Sequence, residues 1–200
     1  PTMINQSLLQ SSFKEAVPFP AYVASGTHHQ QQSWNHFDKL SREHAPLTQT
    51  QTDLIKSFTR RINILVLSGT WCGDCVHQCP LFQQLAEVSP ASTGGMIDLR
   101  FVDRDEASEL SEAAKICGGL RVPTVLFLNE DLDFVSIMGD RSLTRYRAIA
   151  SKALGASCPL PGAPVPADEI ADTRQDWLNE LERVHLLLRL SPKLRQRHND

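Results

Sequence analysis

Three of the five cysteines in this 200-residue chain, Cys72, Cys75 and Cys79, fall within eight positions. Clustering of that kind points to redox chemistry or metal binding rather than to stapling, and an odd total cannot be fully paired within one chain. Cysteine attacks a disulfide only as thiolate, and a free thiol with a pKa of about 8.5 is mostly protonated at neutral pH. A helix N-terminus lowers that value, because its unpaired backbone N–H groups and macrodipole favour negative charge. The run Ile62-Asn63-Ile64-Leu65-Val66-Leu67 reads as a strand, and Ser68-Gly69-Thr70 as a tight turn, so Cys72 stands where a helix begins. Cys75 is one helical turn inward on the same side, close enough to close a small disulfide ring. The pair therefore suits a cycle in which Cys72 attacks a substrate disulfide and Cys75 resolves the mixed disulfide.

A Cys-x-x-Cys pair is also half of a zinc site. No second such pair and no paired histidines follow it, which weakens a structural-zinc reading but leaves a metal or iron–sulfur module on Cys72, Cys75 and Cys79, with His77, as a rival. Cys79 shares the helical face of the other two. It is read first as a small buried residue beside Pro80, and second as an accessory thiol. Cys117, next to Gly118-Gly119, is read as packing, and Cys158, in a proline-rich stretch, as exposed. His77 is expected to be a solvated helix residue, and His28 and His29, beside a glutamine run, to sit in a solvated loop. Arg141, Arg145 and Arg147 read as a charged outer face.

Positioning a thiol at a helix start requires a sheet edge to launch the helix, and the chain supplies the elements. Residues 1–61 form a polar, helical N-terminal extension. In it Trp34, Phe37 and Leu40 mark one buried stripe, and a helix from Leu47 to Arg61 starts at Thr48 and buries Leu54, Ile55 and Phe58. Within 62–154 the strand before the cysteines is followed by a helix to about Val88, bent at Pro80. Then come a strand at Ile97–Val102, a helix at Asp105–Ile116, strands at Val122–Leu128 and Phe134–Met138 joined by a hairpin, and a helix at Ser142–Leu154. The order β-α-β-α-β-β-α describes an α/β fold, a mixed central sheet flanked by helices. Residues 155–166, rich in Pro and Gly, read as a linker, and 167–200 as a C-terminal helix and tail whose face is marked by Ile170, Trp177, Leu181, Val184 and Leu188.

Composition limits the partners. A net charge of -3, with no basic stripe interleaved with aromatics, argues against nucleic acid and anionic membrane surfaces. The apolar runs are strand-sized, far short of the roughly 20 residues a membrane span needs. No charged start followed by an apolar run marks a secretory signal, so a cytoplasmic location is expected.

Trp71-Cys72-Gly73-Asp74-Cys75, Pro80, Val122-Pro123-Thr124 and Gly139, in that order, resemble the thioredoxin superfamily over roughly Ile62 to Leu154. The longer pattern is a helical N-terminal extension, Thr-Trp-Cys-Gly-Asp-Cys, then Gly-Gly shortly before Pro123. It looks like a bacterial subgroup of thioredoxin-like proteins. The resemblance implies a thioredoxin fold, Pro123 as the cis-proline opposite the cysteines, Val122 as the residue whose backbone pairs with substrate, and Trp71 as a substrate-facing platform. It implies Gly73 and Asp74 as modulators of the site, no cofactor, a disulfide-containing protein substrate and a separate thiol electron donor. Two departures stand out. Asp74 replaces the usual proline, and a carboxylate there opposes thiolate formation at Cys72, which predicts a less acidic Cys72 and a reducing protein. Val66 occupies the place of a buried aspartate that serves the resolving cysteine, leaving Asp74 or His77 as substitute proton acceptors. The remaining alternative is a thioredoxin fold kept as a non-catalytic interaction scaffold, indifferent to loss of Cys72.

Overall fold

The β-branched run that launches the cysteine motif becomes the central strand of the sheet. In the computed structural model, which describes residues 3–89, 96–153 and 167–199, β1 (Ile62–Ser68) is buried at every position. Burial on both faces explains its continuous apolar character. The sheet order is β2-β1-β3-β4. β2 (Ile97–Asp103) runs parallel to β1, with Ile62 opposite Ile97, and β3 (Thr124–Leu128) runs antiparallel, with Val66 opposite Val125. β4 (Phe134–Gly139) completes the expected hairpin against β3, with a register shift at Phe127/Leu128. Its turn is organised by Asn129, whose Oδ1 accepts from the backbone N–H groups of Asp131 and Asp133.

Four helices precede β1 where the sequence suggested two. α1 (Gln6–Glu15) starts at Asn5, whose side chain accepts from Leu8 N–H, and α2 (Phe19–Ala24) carries Pro20 in its first turn. α3 (His28–His44) and α4 (Gln49–Lys56) both open with capping boxes, Thr27 with Gln30 and Thr48 with Gln51. Thr27 thus makes His28 and His29 the exposed first residues of a helix rather than a loop. Trp34 and Phe37 are buried as expected, but Leu40 is 42% exposed and Ser41 turns inward instead. α4 ends at Lys56, earlier than the Arg61 expected, because the backbone N–H groups of Thr59 and Arg60 leave the helical pattern to donate to His185 Nε2.

Past the motif, α5 (Gly73–Glu87) crosses the sheet, and α6 (Ser108–Ala113) is shorter than the helix expected over 105–116. α7 (Leu143–Ala153) follows the hairpin. α8 (Glu169–Leu190) buries Trp177, Leu181, Val184 and Leu188. Burying each such side chain contributes roughly 1.5–3 kcal/mol, enough to hold this helix on the body of the protein. Trp177 meets Phe82 of α5 at 5.1 Å between ring centroids. Beyond it, α9 (Pro192–His198), not foreseen in the tail, starts with Ser191 as cap and proline in the first turn. The residues 155–166 read as a linker, and Cys158 within them, lie outside the described residues. Among the described residues no helix is long and apolar enough to cross a membrane.

Candidate active site

The turn leaving β1 sets the site. An added Cβ at Gly69 would lie 2.7 Å from the Trp71 ring, so only glycine lets the indole fold back over the turn. The turn is braced from the N-terminal helices, since Trp34 Nε1 donates to the Thr70 carbonyl at 2.9 Å and Thr70 Oγ1 donates to Gln30 Oε1 at 3.1 Å. Trp71 is 50% exposed, with the Arg104 guanidinium 4.7 Å from its ring centroid.

Cys72 is the N-cap of α5, in extended conformation and with no side-chain cap bond. Cys75, one turn on, is fully buried, and both thiols are free. Gly73 has open space on its Cβ side. Cys72 Sγ lies 3.6 Å from the carbonyl oxygen of Val122. The Val122–Pro123 peptide is cis, as is Gly139–Asp140. β4 comes so close behind this loop that a Cβ at Gly139 would lie 2.5 Å from the Pro123 carbonyl oxygen. The contiguous residues Trp71, Cys72, Gly73, Asp74 and Cys75 and the distant pair Val122 and Pro123 thus come together around one thiol. Cys79 lies deeper, 3% exposed, as a small buried residue.

The electrostatics differ from expectation. Arg141 Nη2 donates to Asp74 Oδ2 at 2.7 Å, and Arg145 Nη2 to Asp74 Oδ1 at 2.8 Å. These arginines are therefore not merely an outer charged face. Burial raises the Asp74 pKa, but the two guanidinium groups outweigh it and hold the carboxyl below its ordinary value. The negative charge of Asp74 is balanced, so it is not what makes Cys72 reluctant to ionise. The Cys72 thiol is nonetheless held above its ordinary value, first by its hydrogen bond with Cys75 and then by burial. Burial pushes the Cys75 thiol well above its ordinary value, with hydrogen bonds from Cys72 and Ser68 opposing it and Cys79 adding to it.

The pairing continues outward. Asp140 accepts from Arg121 at 2.9 Å and from Tyr146, and Arg145 also reaches Glu169. Gln78 of α5 donates to the Asp140 carbonyl at 3.0 Å and accepts from Ser142 N–H at 2.9 Å, tying the arginine-bearing loop to the motif helix. His77 is exposed but not idle: Nδ1 hydrogen-bonds the Gly73 carbonyl at 2.7 Å and the ring meets Phe37 edge-on at 4.9 Å. Cys117 is exposed at φ 50°, so it is a loop residue and not packing. Among the described residues no three His, Cys, Asp or Glu side chains are grouped so as to hold a metal ion. Sequence reasoning missed Arg104, Arg121, Asp140 and Tyr146 as neighbours of the site; no local signal marks them.

A family model described as thioredoxin matches residues 16–149, a span that takes in α2, α3 and α4 as well as the sheet. Among solved structures, the chain is similar to the crystal structure of a protein of unknown function from Pseudomonas aeruginosa. That match has 19% identity and a TM-score of 0.66 and covers 91% of this chain and 97% of the other. It is also similar to an HIV epitope-scaffold, at 18% identity and a TM-score of 0.64, over 88% of this chain and 95% of that one. At these identities the likeness speaks for the fold alone. A search of curated proteins finds no match.

Proposed function

The chain belongs to the thioredoxin family, and we propose that it is a thiol–disulfide oxidoreductase that reduces protein disulfides through a Cys72/Cys75 dithiol–disulfide cycle. The observation that carries this reading is the placement of two free thiols one turn apart at the start of α5, the outer half-buried and the inner fully buried, beside the Val122 carbonyl. The accessible Cys72 attacks a substrate sulfur, and the substrate's other sulfur leaves as a thiol. Cys75 then attacks Cys72 Sγ, forming the Cys72–Cys75 disulfide and releasing the second substrate thiol. The exposed indole of Trp71 and the backbone of Val122 would receive an extended segment of the substrate. No cofactor enters the cycle, and a separate thiol donor returns the protein to the dithiol form.

The direction follows from thiolate stability. A protein that stabilises its thiolate stabilises its reduced form and becomes an oxidant. Here Cys72 is held above its ordinary value, so the dithiol is the stronger donor and reduction of substrate is favoured. Such a protein suits a reducing compartment such as the cytoplasm.

Trapping tests the division of labour. With an oxidised peptide or Ellman's reagent, Cys75→Ser is expected to retain half of the probe as a stable mixed disulfide on Cys72. The wild type should release both halves and lose two hydrogens in mass. Equal reactivity of Cys72→Ser and wild type would overturn the assignment.

A further inference from the structure

Trp71 and the Val122 loop flank the same thiol from distant parts of the chain, and one side chain reaches both. Arg104 follows the last residue of β2, and its backbone is fixed on both sides. Its N–H donates at 2.9 Å to the carbonyl of Ser68, where β1 gives way to the motif turn, and its own carbonyl accepts from Ser111 Oγ of α6 at 2.7 Å. From this anchored start the guanidinium lies 4.7 Å from the centroid of the Trp71 ring, while Nη1 donates to the Leu120 carbonyl at 2.8 Å.

Neither contact is a by-product of an ion pair. Asp105 accepts from Arg104 Nε at 3.2 Å, but its carboxylate is largely exposed, and a surface pair of that kind contributes little. A planar guanidinium suits the other two partners together: it lies over an indole by cation–π attraction while an N–H in its own plane donates to a carbonyl, and a compact ammonium has no such plane. Both partners lead directly to Cys72. Trp71 adjoins it, with the indole folded over Gly69 and half exposed. Leu120, also exposed, stands two residues before Val122, whose carbonyl oxygen lies 3.6 Å from Cys72 Sγ. The loop carrying it is held as a unit, since Ile116 and Gly119 exchange both backbone hydrogen bonds and Thr124 Oγ1 donates to the Arg121 carbonyl at 2.7 Å. Exposed apolar groups on two sides of a thiol, tied together by one cation, make a surface for a polypeptide chain; a small disulfide needs only the thiol.

We propose that Arg104 is a positioning residue for polypeptide substrates, an inference that rests on the dithiol reading above. By holding the Trp71 indole and the loop before Val122 as fixed walls beside Cys72, it favours disulfides carried on a peptide over small ones. The walls receive the residues that flank the substrate cysteine. Because they are set before the substrate arrives, the cost of ordering them is not drawn from the binding free energy. Arg104 touches no reacting atom and acts through Trp71 and Leu120.

The test compares two probes by rapid mixing, in a Cys117→Ser, Cys158→Ser background that silences the outlying thiols. One is a short peptide of apolar residues whose single cysteine is joined by a disulfide to nitrothiobenzoate, and the other is Ellman's reagent. Attack by Cys72 forms a mixed disulfide and releases nitrothiobenzoate from either, and a peptide concentration series separates half-saturation from the limiting rate. Arg104→Met, which keeps an unbranched side chain, is expected to raise the half-saturating peptide concentration about fivefold, as for one side chain that must now be ordered on binding. The limiting rate and the rate with Ellman's reagent should each change by less than about twofold. Trp71, half exposed where Trp34 and Trp177 are buried, should become more readily quenched by acrylamide, with Trp71→Phe as the baseline. A wild-type half-saturating concentration in Arg104→Met would overturn the proposal, as would equal slowing with both probes or unchanged quenching. If Arg104→Met loses its fold by circular dichroism, Arg104→Lys, which keeps the charge without the planar fork, decides by the same criteria. Ellman's reagent gives a second release when Cys75 resolves the adduct, and its absence in the wild-type background would instead overturn the dithiol reading itself.

Discussion

Asp74 brings a negative charge into the first turn of α5, next to the thiol that must ionise, and Arg141 and Arg145 neutralise it from the far side of the β3–β4 hairpin. Removing both arginines in Arg141→Ala/Arg145→Ala leaves that charge uncompensated. The Cys72 pKa should then rise further, and alkylation by iodoacetamide at pH 7 should slow by roughly tenfold, about one pKa unit. Unchanged alkylation would show that the pair does not govern the thiol. The cysteine pair, Trp71 and Asp74 were all legible in the sequence because they adjoin one another. Arg145 was not recognisable as a partner, since its contact spans 71 residues and nothing local distinguishes an arginine bound to a carboxylate from one in solvent. The compensation of the Asp74 charge has no sequence signal for the same reason.

The elements place these residues through close approaches that small changes upset. β4 passes behind the Val122–Pro123 loop only because Gly139 lacks a side chain. Gly139→Ala is expected to cost about 1–3 kcal/mol in urea unfolding and to slow mixed-disulfide formation as the loop moves off Cys72. A variant with wild-type stability and rate would contradict this packing. At the other end of the sheet, His185 of α8 accepts from the turn after α4 through Nε2 and stacks on Phe58 at 4.4 Å. Burial first, and then Arg189 and Arg60, lower its pKa. The unfolded histidine binds a proton more readily than the folded one. This contribution to stability is therefore complete above about pH 6.5 and is lost as pH falls through the depressed folded value. The Tm of the wild type should drop more than that of His185→Gln between pH 7 and 5.5. An identical drop in both proteins would remove His185 from the account. The strands and α5 follow from β-branched runs and a Gly-bounded turn, which is why their extents were readable. The sequence pattern extends α4 to Arg61, past its observed end at Lys56, because that end is decided by a histidine 126 residues from Thr59.

Across the whole molecule, the segments flanking the sheet meet one another and close around it. Gln51 of α4 hydrogen-bonds Gln175 of α8 at 2.8 Å, and Trp34 of α3 holds the motif turn. The mixed sheet and its order were legible because apolar periodicity and turn residues act locally. Of the four N-terminal helices two are legible in the sequence, since α1 and α2 are short and their apolar residues are recognisable as core only once Phe101 and β2 lie against them. The proposed activity requires that this assembly hold a reversible two-electron couple on Cys72 and Cys75. The most direct measurement equilibrates metal-free wild type and Cys79→Ser in dithiothreitol buffers and counts the thiols that remain by alkylation and mass. A single couple near the thioredoxin potential of about −270 mV, unchanged in Cys79→Ser, is the result the account predicts. No reversible couple, or one that vanishes with Cys79, would contradict it.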